Sequence, residues 1–255
     1  MGATSEKKAA KPWYSVWGNR YMGHEPPFYD KTQLPWIKTL EDNWEIMRDE
    51  LLALLETEPN RLKPYFINKT MSFPPDHWKI MGLYYWNLII HENCRKCPKT
   101  VQLLKSIGGV TSFSISVLEP GSNINPHQGD TDAIIRCHVG LVVPGTLPDL
   151  GFQVGSEIRA WEEGKALPFC DAITHTAWNH TKKRRVILNL DVMRSEFVKK
   201  QHGICAHVLA SSYLQMLYPR FPFLGESSGY IRKLIYHVAR CVIWIYLPLQ
   251  RIFGK

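Results

Sequence analysis

Three histidines and one arginine stand out by position. Of the ten histidines in the chain, His127, His138 and His175 fall at junctions of a segment with β-like texture. A pair of imidazoles can hold a redox metal while leaving positions open for a bidentate oxoacid and for O₂, as non-haem iron oxygenases require. Such a centre also needs a cation deeper in the fold for the far carboxylate of the oxoacid, and the planar fork of an arginine suits that task. Arg185 opens the last apolar run, ten residues after His175. The order is then distal metal ligand, turn and anion anchor. On spacing alone, zinc and a plain structural role compete with iron.

The elements that must place these groups are mostly short strands. Residues 112–118 alternate polar and apolar before Glu119-Pro120-Gly121 turns the chain. Strand-like runs follow at 133–143, 151–154, 157–161, 166–169 and 185–192, punctuated by Pro144-Gly145, Gly155-Ser156 and Glu162-Glu163-Gly164-Lys165. Several short strands at this spacing predict a sandwich, barrel or jelly roll over residues 110–197.

Helical patterns flank this region. From Thr39, the residues Leu40, Trp44, Met47, Leu51, Leu54 and Leu55 recur at helical spacing until Glu58-Pro59-Asn60. An apolar run spans 81–90, and a second helix is expected over 98–106. Residues 1–12 read as a disordered leader and 13–38 as an extended wrapping segment, so 13–109 forms an N-terminal layer. Residues 198–255 form a C-terminal helical extension. Within it Ile231, Leu234, Ile235, Val238, Val242 and Ile245 share one side, and Lys233, His237 and Arg240 another. The uncharged run from Cys241 to Leu249 is too short to span a bilayer. Two readings stay open for residues 231–249: a helix lying in a membrane interface, or one packed on its own domain.

Composition narrows the class. With 45% hydrophobic residues, nine Trp, eleven Tyr and ten Phe, the chain buries a real core instead of staying disordered. The net charge of +8 includes clusters at Lys7-Lys8, 182–185, Lys199-Lys200 and Arg232-Lys233. No zinc-finger spacing or aromatic RNA-binding strand accompanies them, so no nucleic-acid partner is expected. Cys94 and Cys97 form a single CxxC, a weak zinc or redox signal without a second pair. The cysteine pattern fits a reduced, cytoplasmic setting, with peripheral attachment to a membrane as the variant. The first residues lack the apolar stretch of a signal peptide, and Glu6 breaks the myristoylation pattern opened by Met-Gly.

Longer blocks carry a resemblance. These are Asn125-Pro126-His127-Gln128-Gly129, the run 135–144, Trp161-Glu162-Glu163-Gly164-Lys165, the run 171–178 and the run 185–192. In order and separation they resemble the aspartyl/asparaginyl β-hydroxylase family, as does the segment 41–50. The resemblance implies a mainly β fold with flanking α: a double-stranded β-helix core, jelly-roll or cupin-like, with N-terminal helices and a C-terminal amphipathic helical extension. It implies a dioxygenase that uses Fe(II), 2-oxoglutarate and O₂ to hydroxylate an unactivated C–H. His127 and His175 match the two iron ligands and, with Arg185, make the catalytic set. Arg185 matches the anchor of the distal carboxylate of 2-oxoglutarate, and Ser116 and His138 match positions that help hold it. Arg136 matches a residue that faces an acidic substrate in the protein hydroxylases. The wider class has His-x-Asp where this chain has Gly129, which implies a two-histidine centre with water in the third place. Asp130 and Asp132 lack the usual offset, and Asp171 is expected to orient a ligand or turn a strand end.

Three functions follow from the resemblance. The first is hydroxylation of an aspartyl or asparaginyl residue of a polypeptide, or of a related amino acid. The alternative is hydroxylation of a membrane-lipid acyl chain of the lipid A or ornithine-lipid type, which the segment 27–44 and the basic, apolar C-terminal extension favour. The third is a catalytically inactive jelly-roll binding module.

Overall fold

The structure is a computed structural model, described for residues 11–17, 20–65 and 71–253. Most of the leader expected over residues 1–12, including Lys7, Lys8 and Glu6, lies outside the described residues. Two antiparallel sheets form the centre. The larger contains β1 (Lys63–Pro64), β3 (Trp78–Tyr85), β4 (Leu88–Ile89), β5 (Val110–Leu118), β7 (Ile134–Val142), β10 (Ala166–Phe169) and β12 (Arg185–Met193). Its order is β1-β3-β5-β12-β7-β10, with β4 paired to β3. The smaller has the order β2-β6-β11-β8-β9, built from β2 (Ser72–Phe73), β6 (Ser122–His127), β8 (Leu150–Val154), β9 (Glu157–Arg159) and β11 (His175–Asn179). From β5 to β12 the chain crosses between the sheets at every step except the β8–β9 hairpin, as in a double-stranded β-helix. The larger sheet reaches beyond residues 110–197, because β1, β3 and β4 extend it from the N-terminal side.

The alternation along the central strands sorts side chains between two compartments. Phe113, Ile115 and Val117 of β5, Cys137, Val139 and Leu141 of β7, and Val186, Leu188 and Leu190 of β12 point to one face. That face is covered by α1 (Trp36–Asp42) and α2 (Trp44–Thr57), through Ile37, Leu40, Met47, Leu51, Leu54 and Leu55. The single helix expected from Thr39 is therefore two, broken at Asn43, whose side chain donates to the Thr39 carbonyl. α3 (His91–Lys96) and α4 (Pro98–Ser106) complete the layer. Each buried leucine contributes roughly 1.5–3 kcal/mol. The opposite face of the same strands looks into the space between the sheets, and there Ser114, Ser116, Arg136, His138, Arg185, Asn189 and Asp191 stand beside the apolar Leu118 and Ile187.

The N-terminal segment wraps the molecule. Trp13 N–H donates to Asp132 Oδ1 at 2.7 Å, Ser15 N–H to the Asp130 carbonyl at 3.0 Å, and Tyr29 N–H to the Pro168 carbonyl at 3.0 Å. At the other end, α5 (Gln201–Arg220), α6 (Pro222–Gly225) and α7 (Gly229–Phe253) form a helical layer. Ile204, Cys205, Val208 and Leu247 pack against Trp86, Ile134 and Phe197. Gln250 fastens α7 to the sheet, accepting from Ile89 N–H at 2.9 Å and donating to the Asn87 carbonyl at 2.7 Å. One side of α7 therefore packs on its own domain. Among the described residues no helix is long and apolar enough to cross a membrane.

Candidate active site

β6 and β11 are neighbours, and their register places His127 opposite His175 with ring centroids 4.2 Å apart. Neither strand was expected from the sequence, since Asn123, Asn125 and Pro126 weaken β propensity. Each ring is fixed in the same way. His127 Nδ1 donates to the Asn125 carbonyl and His175 Nδ1 to the Ile173 carbonyl, both at 2.8 Å. This selects the tautomer that leaves Nε2 as a lone pair, the form a metal ligand needs. Burial and the neighbouring His175 push His127 down to about 3, and burial pushes His175 down to about 4. Both imidazoles are neutral at neutral pH.

Arg185 sits deep in the pocket and is 1% exposed. Its Cζ lies 4.8 Å over the Trp161 ring, and its Nε and Nη2 are buried without a hydrogen-bond partner. Burial alone pulls its pKa down to about 9. A guanidinium desolvated without a counterion is a costly arrangement, offset when a carboxylate binds. Trp161 Nε1 donates to His138 Nδ1 at 3.3 Å, so the proton of the neutral His138 ring lies on Nε2. Ser116 Oγ accepts from Trp78 Nε1 at 3.0 Å. His127, Arg136, His138, His175, Arg185 and Ser116 all line this one pocket, so all the expected site residues are brought together. Asn189, which the sequence reading did not single out, joins them and keeps its Oδ1 buried without a partner. Its signal was parity, since it stands at the same inward phase of β12 as Arg185.

Arg136 is engaged from within. Its Nε and Nη2 donate to Asp191 Oδ1 and Oδ2 at 2.6 and 2.8 Å, and its Nη1 donates to Asp171 Oδ1 at 2.6 Å. Burial lowers its pKa, but the two carboxylates outweigh that and hold it well above its ordinary value. Asp171 is wholly buried; its Oδ1 is also 3.6 Å from His175 Nε2, and its Oδ2 has no partner. Burial raises Asp171 to about 6, with Arg136 pulling the other way. Asp130 is raised to about 7 by burial and by Asp171. Asp132 instead caps the wrapping segment at Trp13.

The pocket adjoins a larger cavity of about 350 Å³, which shares Trp78, His127, Arg136 and Asn189 with it. Aromatic and apolar groups dominate its walls, among them Tyr65, Ile80, Tyr85, Leu209 and Met216, and Asp130 also lines it. Elsewhere the weak CxxC signal is not realised. Cys94 Sγ donates to the Leu83 carbonyl and Cys97 is buried. Among the described residues no group of three or more His, Cys, Asp or Glu is arranged to hold a metal.

An iron–oxoacid pair fits the residues present. Two neutral imidazoles offer Nε2 lone pairs on adjacent strands, and the orphaned donors of Arg185 await an anion in the same pocket. Residues 41–195 match the family model described as aspartyl/asparaginyl beta-hydroxylase. The chain is 33% identical over 171 residues to an ornithine lipid ester-linked acyl 2-hydroxylase of Rhizobium tropici, covering 66% of this chain and 61% of that protein. It is 30% identical over 197 residues to an aspartyl/asparaginyl beta-hydroxylase of Mus musculus, covering 75% of this chain and 24% of that one. A Pseudomonas putida prolyl-4-hydroxylase structure aligns with a TM-score of 0.43 and 14% identity, over 63% of this chain and 100% of that chain. By the match over residues 41–195, the chain belongs to the aspartyl/asparaginyl β-hydroxylase family.

Proposed function

We propose that the chain is an Fe(II)- and 2-oxoglutarate-dependent dioxygenase that hydroxylates an unactivated C–H. The observation that carries the reading is the pair of neutral imidazoles, His127 and His175, in one pocket with a buried arginine that has no counterion. His127 and His175 would hold the iron through Nε2. Arg185 would take the distal carboxylate of 2-oxoglutarate, with the Nε2–H of His138 and the Ser116 hydroxyl beside it. Bound together, iron and 2-oxoglutarate supply O₂ activation coupled to oxidative decarboxylation, giving succinate, CO₂ and a hydroxylated product. The part of the protein is to fix the ligand geometry, exclude water with Trp78, Phe152, Trp161 and Phe169, and present the substrate from the larger cavity. Asp171 positions the centre by holding Arg136 and lying beside His175.

The substrate reading is an aspartyl or asparaginyl residue, or a related amino acid. Arg136 supports it, because its guanidinium borders the larger cavity while Asp171 and Asp191 hold it in place. The apolar walls of that cavity favour a second reading, an acyl chain of a membrane lipid. The two share a chemistry. A β-carbon of aspartate and carbon 2 of an acyl chain both stand next to a carbonyl. A catalytically inactive binding module is the remaining possibility, and the assay separates it.

The test is succinate formation by the full chain with Fe(II), ascorbate, O₂ and 2-oxoglutarate, followed by mass spectrometry of lipids and proteins from expressing cells. A gain of one oxygen in one class identifies the substrate. If a chain that binds iron and 2-oxoglutarate forms no succinate with either class, the hydroxylase reading is wrong.

A further inference from the structure

Helix α7 is apolar on two sides, and only one of them is used. On the inner side Ile235, Tyr236, Ala239 and Ile243 pack against α5, and Leu247 and Gln250 reach the body. On the outer side Ile231, Leu234, Val238, Val242, Ile245 and Leu249 follow one another at intervals of three and four residues. That spacing draws a single stripe along a helix, here about 27 Å long at roughly 1.5 Å per residue. All six are exposed, from 39% at Leu249 to 60% at Val242. Tyr230, Trp244 and Tyr246 are also open to solvent, at 78%, 53% and 51%. Single exposed apolar groups need no explanation, but a continuous stripe of this length marks an interaction surface.

The charge of the helix chooses the partner. Arg232 and Lys233 are exposed near its start, on other sides of the helix than the stripe, Arg240 lies with Tyr236 on the side toward α5, and residues 229–253 contain no Asp or Glu. Glu226, in the turn before the helix, is the nearest carboxylate in sequence. A second copy of the helix would bring like charges together with no carboxylate on either helix to pair them. An anionic bilayer answers both features: phosphates for the uncompensated positive charge of the helix, and an acyl boundary for the stripe with Tyr and Trp at headgroup depth. The helix is too short in its apolar run to cross, so it lies in the plane of the surface.

We propose that the outer face of α7 docks the protein on an anionic membrane surface, with Val242 and Ile245 at the centre of the buried stripe. This surface is separate from the pocket of His127 and His175 and does not depend on the substrate.

The test is flotation of the full chain with vesicles of phosphatidylcholine alone or containing about one third phosphatidylglycerol, since basic groups near an anionic surface strengthen attachment. The full chain is expected to float with the anionic vesicles and at least tenfold less with neutral ones. V242E/I245E, which alters only exposed positions, should lose flotation while its circular dichroism and thermal midpoint stay those of the parent. R232E/K233E should lose the preference for anionic vesicles. The proposal is overturned if the parent stays at the bottom of the gradient, or if V242E/I245E floats as well as the parent. It is equally overturned if sedimentation shows a dimer that V242E/I245E dissociates, because the stripe then belongs to a second copy.

Discussion

The carboxylate of Asp171 fills the space in which a side chain at residue 129 would stand: a Cβ built on Gly129 overlaps Asp171 Oδ2 and Cγ. The glycine is thus a steric requirement of a carboxylate that arrives from the turn before β11, four residues ahead of His175. Gly129→Asp is expected not to complete a three-ligand centre. It forces Asp171 away, breaks its contact with Arg136, and lowers stability by about 2–4 kcal/mol, as overpacking and a broken buried ion pair do. Urea unfolding checks this. A variant of parental stability that binds Mn(II) more tightly would show that the two carboxylates can coexist.

Removing either imidazole tests the metal reading directly. His127→Ala and His175→Ala should each weaken anaerobic Fe(II) or Mn(II) binding by more than about 100-fold, beyond the loss that follows removal of an outer partner alone. In the parent, saturating metal should raise the thermal midpoint, and chelation should reverse the rise. Neither variant should show that shift.

Arg185 makes opposite predictions for the empty and the loaded protein. Arg185→Met removes a buried charge that has no counterion, so the protein without 2-oxoglutarate should gain about 1–4 kcal/mol in urea unfolding. The same change should weaken 2-oxoglutarate binding by at least about 30-fold, since a charge-assisted pair is lost. A variant that is less stable and still binds 2-oxoglutarate as the parent does would remove Arg185 from the anchoring role.

The helical layer carries its own pH dependence. Tyr236 Oη and His207 Nδ1 share a hydrogen bond of 2.6 Å, and burial, then Arg240, push His207 down to about 4. An unfolded histidine titrates near 6.5, so between about 4 and 6.5 the unfolded chain binds the extra proton. Stability from this contact is complete above pH 6.5 and is lost as pH falls through 4, each pH unit in that window being about 1.4 kcal/mol. His207→Gln should flatten the slope of urea stability against pH over this range, and an unchanged slope would contradict the assignment.

Much of this was legible from residue order. The run 166–169 is β10 and the run 98–106 is α4, because Pro and Gly mark their ends. The strands carrying the histidines were not legible: local propensity is poor there, and tertiary pairing between β6 and β11 decides. Alternation in 112–118 was visible, but ordinarily implies one face in water. Here the apolar phase meets the helices and the polar phase faces the barrel interior. Asn189 and Asp191 gain their meaning only from that inversion. The ion pairs of Arg136 join residues 35 and 55 positions apart, a relation no local pattern records.

The loops around the two histidines are laced together: Gly129 N–H donates to the Asp171 carbonyl at 2.8 Å and Gln128 Nε2 to the Ala172 carbonyl at 2.8 Å. The two imidazoles therefore belong to one rigid jaw that the chain closes on its own. On the proposed reading iron would enter a seat that is already formed, so metal starvation should leave idle but intact protein, ready to be switched on by supply.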